Sequence, residues 1–355
     1  MDYNLQIQKI MVKVEQHAQP DDKIRLLKEA ISLADAHNDL EWGFDLRMEL
    51  MDQEFYTAHD NESLTAFAWL LEACDQHPDL FDEDELLWNY KWMISAARNN
   101  PGISFEQIDT ILEDFKVRTQ RNGYSLRPYY GQKLCLELYH LNNPQKAKEY
   151  LDLQSMEQRD SISDCRACEL DDSVSVEIAL GNIEKALDMS KDLFSGKLSC
   201  AHVPYMTYCS FLSHFHENKD MKKADEFFVK AEKSLEEMEN DSSQIGNIGT
   251  MINFLNDYDK ERAWEYFQKY IHWSLECDEK SKFDISAEVL SLLKTGGTKV
   301  LQINSAMPWY KADGNYNLLE LYNYYHKQAT EIASRFDKRN GNTCFTNQIK
   351  SQGNM

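Results

Sequence analysis

Residues 205–235, YMTYCSFLSHFHENKDMKKADEFFVKAEKSL, decide the fold class of this chain. Two sets of apolar residues recur at helical spacing, one in each half of the stretch: Tyr208, Phe211 and Phe215, then Ala224, Phe228 and Ala231. A small residue lets two helices approach closely, and aromatic rings fill the groove beside it. The stretch therefore predicts a pair of packed helices.

The signature of the second helix recurs along the chain. Four stretches open with a turn-favouring Asn, Gly or Asp and continue with a basic residue, an alanine and an apolar stripe: NNPQKAKEYL, GNIEKALDMS, KDMKKADEFF and YDKERAWEYF. Their alanines follow one another at intervals of 39, 38 and 39 residues: Ala147, Ala186, Ala224 and Ala263. A regular period with two helices per unit is typical of a helix-turn-helix solenoid.

These units resemble tetratricopeptide repeats, stretched from their usual period of about 34 residues. The resemblance implies an all-α fold, a right-handed α-solenoid of antiparallel helix hairpins. In such a superhelix the first helix of each unit lines a concave groove that binds protein or peptide. Carried over onto residues 205–235, the groove positions of the family are Met206, Cys209, Ser213, His216 and Glu217.

Three further motifs resemble a group of bacterial tetratricopeptide-type proteins. They are SDCRACELDD at 163–172, GKLSC at 196–200 and FDKRNGN at 336–342. This resemblance covers roughly residues 120–345. It implies the same fold and a bacterial source, and it implies no particular activity.

The net charge limits the class of partner. The chain has 355 residues, with 60 acidic and 38 basic side chains, and a formal net charge of −22 at pH 7. Nucleic-acid affinity comes largely from Lys and Arg displacing counterions, so we expect no binding to nucleic acid or to anionic membranes. A basic or amphipathic protein segment is the expected partner, and salt should weaken its binding.

The expected compartment is the cytoplasm. The N-terminus lacks the basic region and continuous apolar core of a signal peptide. The sequence also contains no run of about 18 apolar residues, the length needed to span a bilayer. We therefore expect the eight cysteines to be reduced thiols.

Without a Gly/Ser-rich linker, the chain is predicted to form one continuous superhelix. We expect divergent helical hairpins in residues 1–125, four repeats in 126–275, and capping helices with a frayed tail in 276–355. In the N-terminal part, a Ser104–Gln107 capping box and Gly123 mark the start and end of one helix.

The C-terminal region departs from the repeat. We expect a loop at 296–315, a long closing helix at 317–342, and fraying over the last residues from Gln348. The apolar stripe predicted for the closing helix is Leu319, Tyr322, His326 and Ala329.

Cys165, Cys168, Cys200 and His202 are the candidate metal ligands. Three thiolates and one imidazole form a common structural zinc set, and equivalent ends of neighbouring helices meet in a solenoid. Two alternatives remain open: small side chains where helices pack tightly, or a redox switch. The acidic neighbours Asp164, Glu169, Asp171 and Asp172 are expected to raise the thiol pKa values, which disfavours the redox alternative.

A local cluster of basic and aromatic residues at 121–131 includes Arg127 and Tyr130, which could grip an acidic partner motif. The alternative is that this stretch is a simple loop between helices. The chain carries no phosphate loop, His-Glu-x-x-His or nucleophile elbow, so we expect no enzyme activity and no required cofactor. The favoured hypothesis is a protein-binding scaffold. The alternative is a regulatory protein that binds metal or senses oxidation through Cys165, Cys168 and Cys200.

Overall fold

A computed structural model describes residues 2–54, 62–238, 242–275 and 277–354, and the fold is all-α. The helices, in chain order, are α1 (Tyr3–Gln16), α2 (Pro20–Ala36), α3 (Leu40–Glu54), α4 (Ser63–Gln76), α5 (Asp84–Asn99), α6 (Phe105–Arg121), α7 (Arg127–Tyr139), α8 (Pro144–Met156), α9 (Arg166–Ala179), α10 (Ile183–Met189), α11 (Lys191–Phe194), α12 (Tyr205–Glu217), α13 (Met221–Glu237), α14 (Ile245–Tyr258), α15 (Lys260–Tyr270), α16 (Glu279–Glu288), α17 (Leu290–Leu293), α18 (Leu318–Asn340) and α19 (Cys344–Asn354). Short 3-10 turns occupy Ser242–Gln244 and Ile271–Leu275.

The turn residue that opens each repeated stretch is in most cases a helix cap. The side chains of Asn143, Asp220 and Asp259 accept hydrogen bonds from the first-turn amides of α8, α13 and α15. Such a bond satisfies one of the amides that a helix start leaves without a partner. Asn182, before α10, makes no such side-chain bond.

Four helix pairs carry the repeated alanines. The helix α7 packs on α8, α9 on α10, α12 on α13, and α14 on α15. The alanines are completely buried in the second helix of each pair: Ala147, Ala186, Ala224 and Ala263. The first helices also contact one another in chain order, α7 with α9, α9 with α12, α12 with α14, and α14 with α16.

The hydrophobic core forms two large clusters. One runs from Ile7 to Ile162 and the other from Val174 to Ile349. Between them, a small cluster of Leu134, Ala147 and Val176 joins α7, α8 and α9. Apolar packing therefore divides near α8 and α9.

The predicted loop at 296–315 contains a strand, so that prediction was wrong in part. β1 (Thr298–Val300) pairs antiparallel with β2 (Asn315–Asn317), placing Lys299 opposite the buried Tyr316. Strands of three residues are too short to show a two-residue alternation in the sequence.

The long closing helix is present as α18, but its predicted apolar stripe was shifted. The buried face is Leu318, Leu321, Tyr325, Ala329, Ile332, Ala333 and Phe336. Leu319 and His326 are exposed, because α18 packs on α16 and α17 through the adjoining face. Ala329 alone of the four predicted stripe residues belongs to the buried set.

The FDKRNGN motif fastens the end of the chain to its middle. The Arg339 guanidinium donates hydrogen bonds to the carbonyl oxygens of Arg98 (2.7 Å) and Asn100 (3.1 Å). The Asn340 amide donates to the carbonyl oxygen of His140 (2.9 Å). α18 is thereby attached to the ends of α5 and α7.

The same motif starts a further helix. The Asp337 carboxylate accepts hydrogen bonds from the backbone amides of Phe345 (2.9 Å) and Thr346 (3.0 Å). Phe345 and Ile349 are buried. α19 continues to Asn354, so the residues from Gln348 to Asn354, where we expected fraying, belong to a helix.

Across the four described ranges, no helix combines the length and the apolar character needed to cross a membrane.

Candidate metal centre and binding groove

Cys165 and Cys168 lie at the start of α9. Cys165 is the N-cap, and its sulfur accepts a hydrogen bond from the Cys168 amide at 3.3 Å. The two sulfurs are 3.3 Å apart. The two-residue gap places both thiols on the same side of the first helical turn.

Cys200 lies in the segment between α11 and α12, where its amide donates to the Val203 carbonyl oxygen at 2.9 Å. Its sulfur and those of Cys165 and Cys168 all lie within 4.8 Å of one another. The contact between α9 and α12 explains why residues so far apart in sequence meet. His202, the fourth predicted ligand, is not part of this group.

The three thiols differ in their exposure to solvent. Cys165 and Cys168 are half-buried against an apolar floor of Ala167, Leu193 and Val203, whereas Cys200 is exposed. Packing alone accounts for the first two cysteines. It does not account for an exposed thiol directed at the other two.

The acidic neighbours act differently from our expectation, because most have partners. Asp164 pairs with Lys91 at 2.7 Å, and Glu169 pairs with both Arg127 and Arg159. The Asp171 carboxylate accepts a hydrogen bond from the Thr207 hydroxyl.

The three thiols instead influence one another. Burial raises the pKa of Cys165, but hydrogen bonds from the Cys168 amide and from the Cys168 and Cys200 thiols outweigh it, so the pKa lies below its ordinary value. Burial and the neighbouring Cys165 raise the pKa of Cys168 and of Cys200. The expectation that all three pKa values are raised was therefore wrong for Cys165.

A cavity of about 570 Å³ is lined by the first helices of the four pairs. Met206, Cys209 and Ser213 of α12, three of the five predicted groove residues, line it. The other walls come from α7, α9, α14, α16 and α19, and include Tyr139, Ser175, Asn247, Lys280, Asp284, Glu288 and Gln348. We call this cavity the groove.

One wall of the groove is acidic. Lys280 pairs with Asp284 at 2.6 Å, and the Asn253 amide donates to Glu288 at 2.7 Å. Burial, then the charges of Asp284 and Glu217, raise the pKa of Glu288 to about 8. Sequence reasoning missed this wall, although Lys280, Asp284 and Glu288 recur at four-residue spacing on α16.

His216 and Glu217, the other two predicted groove residues, diverge. His216 is buried, with Nε2 3.0 Å from an Asp257 oxygen and its ring against Phe254. Glu217 is exposed, and its carboxylate accepts a hydrogen bond from the Ser213 hydroxyl at 3.0 Å. Glu217 therefore lies beside the groove, whereas His216 contributes to packing between α12 and α14.

Arg127 and Tyr130 are engaged within the chain. Arg127 makes a bidentate pair with Glu169 at 2.9 and 2.8 Å and also donates to two carbonyl oxygens of the α8 end. The Tyr130 ring is half-buried and lies against Tyr129 and Tyr150. Both residues link helices, and neither lines the groove.

A second cavity, of about 640 Å³, lies between α2 and the start of α16. Its lining mixes both charge signs, with Arg25, Lys28 and Lys282 beside Asp21, Glu62 and Asp278. No local motif predicts it, because it joins segments about 250 residues apart in sequence.

Comparisons with protein-family models, with the curated proteins and with the solved structures found no match.

Proposed function

We propose that this chain is a non-catalytic scaffold of the right-handed α-solenoid type that binds a basic or amphipathic protein segment in the groove. The observation that carries the proposal is the groove itself. Its walls come from the first helices of consecutive pairs, and they include Met206, Cys209 and Ser213. The resemblance to tetratricopeptide repeats assigns these three residues to the peptide-binding face. We further propose that it acts in the cytoplasm.

The charges of the groove favour a cationic ligand. Asp284 and Glu288 form one wall, where Lys280 pairs with Asp284 and the raised pKa leaves Glu288 largely protonated near pH 7, and Glu217 lies beside Ser213. A Lys or Arg side chain entering the groove would meet the Glu217 carboxylate and would favour the ionised form of Glu288, in surroundings less screened than bulk water. The net charge of −22 supports the same choice of ligand.

The test is a selection from a displayed random-peptide library on the full-length chain. We expect the selected peptides to be rich in Lys and Arg and to bind more weakly as ionic strength rises. Ser213→Arg, which fills the groove and places a cation beside Glu217, should weaken binding about tenfold or more.

The matched control is Asp188→Asn on α10, where the carboxylate is well exposed and outside the groove. It removes one acidic charge and should leave the affinity of the selected peptides unchanged. Enrichment of acidic peptides, or equal binding by wild type and Ser213→Arg, would overturn the proposal.

A further inference from the structure

We propose that Cys165, Cys168 and Cys200 bind one zinc ion through three thiolates, with the fourth coordination position open to solvent. This site is separate from the groove and does not depend on the proposed function. The proposed site uses three cysteines that have no part in the proposed binding of a protein segment.

The spacing of the sulfurs fits the ion. A zinc–sulfur bond is about 2.3 Å long, so sulfurs at tetrahedral positions lie about 3.8 Å apart. The Cys165 and Cys168 sulfurs are 3.3 Å apart, and all three lie within 4.8 Å of one another. Small rotations of the side chains are enough to reach the ideal distances.

The surroundings suit a thiolate cluster. The Cys168 amide already donates to the Cys165 sulfur, and the start of α9 contributes the positive end of a helix dipole. Hydrogen bonds of this kind orient and support metal ligands. Glu169 is paired with Arg127 and Arg159, and Asp164 is paired with Lys91, so these two acidic neighbours already have partners within the chain.

The fourth coordination position is proposed to be open because of where His202, the fourth candidate ligand, lies. His202 is not among the groups whose ligand atoms converge with the three sulfurs. Cys200 is exposed, so solvent reaches the cluster on that side. A site with three protein ligands retains one position for water or for a donor from another molecule. The ion would join α9 to the segment that leads into α12.

The experiment measures zinc binding by the full-length chain under reducing conditions, by metal analysis and by competition with a chromophoric chelator. We expect one zinc ion per chain and a loss of affinity of about 100-fold or more in Cys165→Ser, Cys168→Ser and Cys200→Ser. Cobalt in place of zinc should give thiolate-to-cobalt charge-transfer absorption, and an added small thiol should change that spectrum by occupying the open position.

Two controls separate this result from misfolding and from a four-ligand site. Cys344→Ser changes a half-buried cysteine outside the cluster, and His202→Ala removes the imidazole, so both should keep full zinc affinity. Circular dichroism of each variant after chelation should match that of wild type. The proposal is overturned by less than stoichiometric zinc, by wild-type affinity in Cys200→Ser, or by loss of affinity in His202→Ala.

Discussion

At the scale of single residues, the fold depends on small side chains where helices meet. Ala224 is fully buried on α13, within the cluster that also contains Phe211, Phe215 and Phe228. The repeated alanines were predicted correctly because a close helix approach demands one residue type. The role of His216 was not predicted, because the residue spacing on α12 does not indicate that His216 contacts Asp257 on α14.

Ala224→Leu should lower the free energy of unfolding by about 2 kcal/mol, because the added atoms overpack a filled contact. Chemical denaturation followed by circular dichroism measures the change. Val229→Leu, on the exposed side of the same helix, should have little effect. Equal stability of the two variants would show that α12 and α13 do not approach closely at Ala224.

At the scale of elements, capping residues and glycines were the sequence features that indicated helix ends most directly. The Ser104–Gln107 capping box is present at the start of α6, and Gly123 follows its end with φ of +78°. By contrast, α19 was missed because CFTNQIKSQGN is rich in poor helix formers. Asp337 and the buried Phe345 hold that helix in place, and neither contact has a local sequence signature.

Arg339→Ala should loosen the attachment of α18 and α19. It removes two hydrogen bonds from a half-buried cation to backbone carbonyls, at a cost of about 2 kcal/mol. Burial and the nearby Arg98 lower the pKa of Arg339 to about 10, so relief of this repulsion offsets part of the loss. Hydrogen exchange should be faster in α19, whereas exposed Lys338→Ala should leave it unchanged. Unchanged exchange in Arg339→Ala would contradict the attachment.

At the scale of the whole molecule, distant segments meet in ways that no periodicity predicts. The bond from Arg339 to the Arg98 carbonyl joins residues 241 positions apart. The groove shares this origin, since helices from α7 to α19 line it. The repeat pattern of the sequence could therefore indicate which residues of α12 line the groove. It could not predict the acidic wall from α16, because α12 and α16 come to face the same cavity only when the chain folds.

Glu288 in the acidic wall should make the free energy of unfolding fall as pH rises. The pKa of Glu288 is raised from an ordinary value of 4.5 to about 8 in the folded chain. The folded state therefore binds more protons than the unfolded state between these values, and stability is lost as pH rises through them. Each pKa unit corresponds to about 1.4 kcal/mol. Allowing for solvent in the groove, we expect a loss of roughly 3 kcal/mol.

Glu288→Gln should remove that loss. Denaturation of wild type and variant at about pH 5 and about pH 8 measures the difference. The groups facing Glu288 are Asp284, Glu217, Asn253 and Lys280, and all remain in the variant. The exposed Glu320→Gln is the matched control and should behave as wild type. An identical pH dependence for Glu288→Gln would contradict the account of the wall.

The most direct test of the central claim is the affinity of one selected basic peptide for wild type and for Ser213→Arg, measured by calorimetry at low and high salt. The scaffold account predicts binding to wild type that weakens with salt. It also predicts binding to Ser213→Arg that is weaker by about tenfold or more at low salt. Equal affinity for the two proteins would show that the groove is not where the partner binds.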